Sequence, residues 1–219
     1  MSAKNVLRQF ETIDTEEKAY WLGFLYADGC VGNKEDKIEL GLAEKDFHHI
    51  EKFKKFMGVN NKICYRESSK SYRYSFRSQS CKADLIRQGC VPKKSLILTF
   101  PTEKQVPTYL IRHFLRGYFD GDGHFTNTEK CFEAGYIGTL DFILKSLEIL
   151  PDTIKRKDLT IKNVHRADGA KSYSFYSYSD VRNFLDFLYK DCTVYLDRKY
   201  EHYLDFITSG SKYHKNQNV

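Results

Sequence analysis

With 219 residues, 41% of them hydrophobic and 15% aromatic, the chain can bury one large core or two smaller ones, which excludes a disordered polymer. A charged fraction of 29% and a mean hydropathy of -0.56, with no run near the ~20 apolar residues of a membrane span, exclude a helical membrane protein. The net charge of +6 is concentrated, because residues 61–100 hold nine Lys/Arg against two acids, a surplus that favours a polyanionic partner.

Taken in chain order, Met1-Ser2-Ala3-Lys4-Asn5 lacks the apolar core of a signal peptide, so an intracellular chain, cytoplasmic or organellar and not secreted, is expected. Asp14-Thr15-Glu16-Glu17 offers an N-cap with an acid three residues on, ahead of an apolar helix from Tyr20 to Ala27 that stops at Asp28-Gly29. Ile38 to Ala43 alternates with period two and reads as a strand. A helix beginning Asp46-Phe47 follows, with Ile50, Phe53 and Met57 on its apolar face and His48 and His49 expected at its surface. Two strands, Lys62 to Arg66 and Tyr72 to Ser78, lead to a helix from Cys81 to Gln88. Pro101 and Pro107 mark a linker over 97–107.

The same order then returns. Pro107-Thr108 opens a helix that stops at Asp122-Gly123, and Phe132 to Ile137 alternates, with Glu133 and Gly135 at the offsets of Glu39 and Gly41. A helix begins at Asp141-Phe142, strands span Leu159 to Arg166 and Ser172 to Tyr178, and a helix runs from Asp180 to Tyr189. Aligning Ser75-Phe76 on Ser174-Phe175 needs no gap. The expected fold is α+β: two pseudo-symmetric αββαββα repeats, 1–96 and 108–208, each with a four-stranded antiparallel sheet, packed through the two Asp-Gly helices. Residues 209–219 are polar and expected to be a disordered tail. Six cysteines without a C-x-x-C pair read as reduced, mostly buried thiols, not as a zinc knuckle or disulfide framework.

The chemistry concentrates at the two stops, Trp21 to Gly29 and Leu115 to Gly123. Gly23 and Gly117 stand at the same place in each; mid-helix glycine costs about 1 kcal/mol against alanine, so its recurrence points to two helix backbones in close approach. The terminal glycines suit a left-handed cap. Asp28 and Asp122 then stand at the negative end of the helix dipole, where a carboxylate is unfavourable unless positive charge is supplied. A hard divalent cation, taking carboxylate, carbonyl and water oxygens, resolves the conflict.

Both nonapeptides resemble the LAGLIDADG motif of the homing endonucleases, in the monomeric form with two motifs, and the resemblance covers nearly the whole chain. It implies metal carboxylates at Asp28 and Asp122 and carbonyl ligands at Ala27 and Gly121. Tyr26 departs from the motif, which more often has aspartate there, as at Asp120. A basic residue near each centre falls on Lys94 and Lys199, with Lys93 as the alternative to Lys94. The implied activity is hydrolysis of both strands of a long, asymmetric double-stranded DNA site across the minor groove, leaving short 3′ overhangs, in the manner of intron homing. Mg2+ is the implied ion, with Mn2+ or Ca2+ able to occupy the same ligands.

Strand alternation separates the faces. Ile38, Leu40 and Leu42, like Tyr72, Tyr74 and Phe76, belong against helices. That leaves Lys37, Glu39, Arg73, Ser75 and Arg77 outward with Lys62 and Arg66, a polar row suited to a major groove. Lys162, Ser174 and Tyr176 are the second-repeat counterparts, and Lys155 and Lys157 precede that strand. His124, directly after the second motif, is a further candidate for phosphate. No H-N-H, H-x-x-x-H, P-loop, Rossmann or nucleophile-elbow pattern appears. Met1 and Val219 do not match the ends of a self-splicing intein. The alternatives are a cleavage-deficient DNA-binding regulator or intron RNA maturase on the same fold, and a two-repeat protein-binding domain, which leaves the paired acids unexplained.

Overall fold

A computed structural model describes residues 7–128, 131–154, 161–164 and 169–215. The first repeat comprises α1 (Glu16–Ala27), β1 (Gly29–Val31), β2 (Lys37–Ala43), α2 (Phe47–Met57), β3 (Ile63–Arg66), β4 (Ser71–Arg77) and α3 (Gln79–Arg87). The second comprises α4 (Ile111–Asp122), β5 (Gly123–Thr128), β6 (Cys131–Gly138), α5 (Leu140–Glu148), β7 (Lys162–Asn163), β8 (Lys171–Phe175) and α6 (Tyr178–Tyr189), and adds α7 (Asp197–Lys215). Each repeat forms an antiparallel sheet, in the orders β1-β2-β4-β3 and β5-β6-β8-β7. Among the described residues no helix is long and apolar enough to cross a membrane.

Local chemistry explains the element starts. Thr15, not Asp14, caps α1, its hydroxyl accepting from Lys18 N at 3.3 Å, with Glu16 and Glu17 in the first turn facing the positive helix end. Ser78 and Ser177 cap α3 and α6 in the same manner, accepting from Cys81 N at 3.2 Å and Asp180 N at 3.1 Å. The connection after the first repeat is packed: Leu98, Phe100 and Val106 are buried, and Thr139 Oγ1 donates to Leu98 O at 2.6 Å. Within the expected tail α7 continues to Lys215, and residues 216–219 lie outside the described residues. Residues 209–215 contain no proline and extend a helix already nucleated on the core.

The strand register corrects the alignment of the repeats. Gly29 pairs with Leu40 and Gly123 with Tyr136, so Leu40 corresponds to Tyr136, and the match of Glu39 with Glu133 was displaced by two residues. A two-residue slip leaves every side chain on its face, which is why alternation could not reveal it. The Ser75-Phe76 match with Ser174-Phe175 stands, since Tyr74 faces Leu40 and Tyr173 faces Tyr136.

The two repeats meet along α1 and α4 at the helix glycines. A Cβ built on Gly23 would lie 1.9 Å from Phe114 O, and one on Gly117 would lie 1.9 Å from Tyr20 O, a reciprocal crossing that no larger residue fits. Polar groups are buried beside it. Asp120 accepts from Tyr20 Oη at 2.7 Å, Tyr189 Oη at 2.5 Å and Leu196 N at 2.8 Å. Arg116, fully buried, donates to Glu16 Oε1 at 2.7 Å, Val194 O at 2.8 Å and Leu188 O at 3.0 Å.

His49 belongs to this network and corrects a surface assignment: it is buried, and His48 is the exposed one. Because Tyr20 Oη donates to Asp120, it accepts from His49 Nε2 at 2.9 Å, which fixes the Nε2-H tautomer. Burial first, and the Lys52 charge second, push the His49 pKa down from 6.5 to about 3. Between these values only the unfolded chain takes up this proton, so the native state loses up to about 1.4 kcal/mol for each pH unit below 6.5. In His49→Gln, whose amide can still donate to Tyr20, the acid-side slope should become shallower by this amount, leaving the part set by His113, which burial holds down to about 4. Urea melts of both proteins from pH 7 to 4.5 check this; equal slopes contradict a buried neutral imidazole.

The thiols are all free, but only Cys81 and Cys90 are fully buried; Cys30, Cys64 and Cys131 are exposed. Each of these three occupies a strand position on the outer sheet face, which is why a small residue there is not in the core.

Candidate active site at the paired helix ends

Asp28 is the C-cap of α1, and Asp122 is the last residue of α4. Neither following glycine adopts the left-handed cap expected of it: Gly123 is extended at φ -82° and ψ 155°, and the positive-φ glycines among the described residues are Gly58, Gly89 and Gly169. Space imposes glycine instead. A Cβ on Gly29 would lie 2.6 Å from Leu25 O, and one on Gly123 would lie 2.3 Å from Phe119 O. Gly121 brings the helix ends together, since a Cβ there would lie 2.4 Å from Ala27 Cβ and 3.3 Å from Asp28 Oδ2.

Both aspartates keep solvent access, yet dense protein surrounds them. Burial, then the Asp122 charge, pushes the Asp28 carboxyl up to about 6, against the opposing fields of Lys199 and Lys94. Burial likewise raises Asp122, opposed by Lys94 and then Lys199. The stronger cationic field at each aspartate therefore comes from the lysine of the other repeat, so the two halves share one electrostatic centre. Burial of the two carboxylates outweighs the two lysine charges, which is why both are raised.

The lysines are placed symmetrically. Lys94 lies on a 3-10 turn, Lys94–Leu96, and its buried ammonium donates to Gly29 O. Lys199, in the first turn of α7, donates to Gly123 O at 2.6 Å and Phe119 O at 2.5 Å. Each ammonium thus meets the carbonyl of its own motif's last glycine. Lys93 is exposed, in the left-handed region at φ 55°. Burial brings the Lys199 pKa down to about 8.

The donor set fits a hard divalent ion. Two accessible carboxylates stand at helix C-termini, where the last carbonyls lack intrahelical donors, and the side chain that would fill the space between them is absent at Gly121. Among the described residues no group of three or more His, Cys, Asp or Glu side chains is placed to hold a metal, so protein carbonyls, water and substrate oxygens must complete any coordination shell.

The departure at Tyr26 has a local reason. Tyr26 Oη donates to Gln88 O at 2.5 Å, fastening the connection that carries Lys94. Asp120, the equivalent position of α4, accepts from Leu196 N at 2.8 Å and fastens the connection that carries Lys199. A phenol and a carboxylate reach the same segment of their respective repeats. Sequence spacing marked the position but not this use of it.

The outer face of the first sheet gathers Glu39 opposite Ser75, Lys37 opposite Arg77, and Arg73 opposite Cys64, with Arg66 opposite Ser71 and Lys62 just before β3. Glu39 lies between two cations, 2.6 Å from Lys37 Nζ and 2.6 Å from Arg73 Nη1; although burial opposes it, these contacts hold its carboxyl below the usual range. The second sheet is less basic. Ser174 is buried, its hydroxyl 3.0 Å from His124 Nε2, because Gly135 opposite it leaves the space it occupies. His124, also 3.2 Å from Glu133 Oε1, is the partly exposed group there. Tyr176 is exposed and its hydroxyl accepts from Lys162 Nζ at 3.0 Å. Lys155 and Lys157 lie outside the described residues.

The sequence matches no family model and no curated protein. Among solved structures, the I-LtrWI LAGLIDADG homing endonuclease bound to target DNA is similar at TM-score 0.59 and 14% identity, over 89% of this chain and 90% of that one. The LAGLIDADG meganuclease I-AabMI bound to uncleaved DNA gives 0.60 and 14%, over 90% and 91%. I-SmaMI bound to an uncleaved DNA target in the presence of calcium ions gives 0.57 and 14%, over 91% and 92%. The chain has the fold of these enzymes along nearly its full length.

Proposed function

We infer that the chain is a monomeric, site-specific double-stranded DNA endonuclease that hydrolyses one phosphodiester bond in each strand of a long asymmetric site. The observation that carries this reading is the pair of accessible aspartates at abutting helix ends, each repeat supplying a buried lysine beside them. Asp28 and Asp122, with the Ala27 and Gly121 carbonyls, would hold Mg2+, or Mn2+ or Ca2+ in its place, supplying Lewis-acid charge at the scissile phosphates. Lys94 and Lys199 hold the motif carbonyls in place and add positive charge facing the phosphate as negative charge develops there. The outer sheet faces would follow the major groove on either side, with Lys37, Glu39, Lys62, Arg66, Arg73, Ser75 and Arg77 in one half and Lys162, Tyr176 and His124 in the other.

The test is selection of cleaved ends from a random double-stranded library in Mg2+ and in EDTA. One long site with short 3′ overhangs should be recovered in Mg2+ and nothing in EDTA. Enrichment by binding with every end intact overturns the nuclease reading and leaves a DNA-binding regulator. On the selected site, Arg77→Ala should weaken binding by roughly 10- to 100-fold, the scale of a lost base contact of about 1–3 kcal/mol, because its side chain is exposed and, among the described residues, paired with exposed Glu35 at 2.7 Å. Titration of the selected site and a shuffled one checks it; equal affinity for both proteins removes Arg77 from the interface.

A further inference from the structure

The two lysines are symmetric at the ammonium but not in what holds them. Lys94 is fixed within the first repeat, through Tyr26 Oη to Gln88 O at 2.5 Å and Cys90 Sγ to Leu25 O at 3.6 Å. Lys199 follows a segment that the first repeat grips from outside. Arg198 Nε and Nη2 donate to Asp46 Oδ1 and Oδ2, both at 3.1 Å, a two-point contact across 152 residues. Lys52 Nζ donates to Asp197 Oδ1 at 2.5 Å and Tyr195 O at 3.2 Å. Asp46 closes the 3-10 turn Glu44–Asp46 ahead of α2 and is almost wholly buried. The Lys94 turn has a weaker tie in return: Thr139 Oγ1 donates to Leu98 O at 2.6 Å, four residues beyond Lys94, and among the described residues no ion pair joins that turn to the second repeat.

We propose that Asp46 and Arg198 are positioning residues that hold Lys199 in register from across the repeat boundary, so that one strand cut depends on the contact between repeats and the other does not. This rests on the endonuclease reading. The Arg198 side chain is 46% exposed, which limits what the pair adds to stability. Its planar fork nevertheless fixes the direction of the residue next to Lys199, and a displacement of about 1 Å at a reacting centre costs on the order of 100-fold in rate. A weak contributor to folding can thus be a strong contributor to one cut.

The experiment follows supercoiled plasmid carrying the selected site, in Mg2+, with strand-specific end labels. Arg198→Ala should accumulate nicked circles, one strand slowing by roughly 10- to 100-fold while the other stays within about twofold. DNA affinity and melting temperature should change little. Asp46→Ala should slow the same strand, the double variant should be no worse than either single one, and Arg198→Lys, which lacks the fork, should recover only part of the rate. Equal slowing of both strands by Arg198→Ala, or no slowing, overturns the inference alone. A wild-type protein that cuts neither strand overturns the endonuclease reading and the inference with it.

Discussion

Gly117→Ala is expected to lower the melting temperature by roughly 5–10 °C, even though alanine is the better helix former by about 1 kcal/mol. The added methyl would sit 1.9 Å from Tyr20 O and 2.8 Å from Phe24 N, backbone atoms that cannot rotate away. Helices α1 and α4 must separate, and the strain of overpacking, about 1–3 kcal/mol in ordinary cores, falls here at or above its upper end. Gly23→Ala should behave alike, since its methyl would meet Phe114 O at 1.9 Å. The double variant should cost less than the two together, because helices moved apart by the first methyl already make room for the second. Thermal melts of the three variants decide it. An unchanged or raised melting temperature would show that the helices do not cross at these glycines.

Asp28→Asn and Asp122→Asn should each reduce double-strand cutting by about 1000-fold or more, the scale of several kcal/mol of charge stabilisation at the phosphate. DNA binding should persist. Stability should move the other way. The folded pKa of Asp28, about 6, lies above its ordinary value of 3.8, so its ionised form is penalised in the metal-free fold. That penalty grows as pH rises from about 4 to 6 and is complete at neutral pH. Solvent access at the carboxylate screens it, so Asn at Asp28 should raise metal-free stability at pH 7 by no more than about 1 kcal/mol. Lost cutting with retained or improved folding separates a functional acid from a structural one. Wild-type cutting by both variants would remove the aspartates from the chemistry.

Much of the architecture was legible because it is written twice. The recurrence of Gly23 and Gly117 announced a helix crossing, and alternation through Ile38, Leu40 and Leu42 assigned the faces of β2. What the sequence left open follows from periodicity and distance. Period two cannot separate Glu39 from a partner two residues away, so the register waited for the ladder that pairs Gly123 with Tyr136. His49 precedes Phe53 and Met57 at intervals of four, a core-facing signal that its polarity masked. Ser174 alternates outward, but Gly135 opposite it opens a space that draws the hydroxyl inward. Asp46 and Arg198, separated by 152 residues, leave no local pattern at all. The paired acids were visible; the means by which each repeat holds its lysine required the fold.

The proposed chemistry requires the two helix ends to form one cation-binding centre that faces DNA. The most direct measurement is the anomalous difference density of Mn2+ in crystals of the chain bound to its selected site. Ions should appear at inner-sphere distance, roughly 2.0–2.3 Å, from carboxylate oxygens of Asp28 and Asp122, with a scissile phosphate oxygen in the same coordination shell. Ordered DNA with no manganese at either aspartate would contradict it.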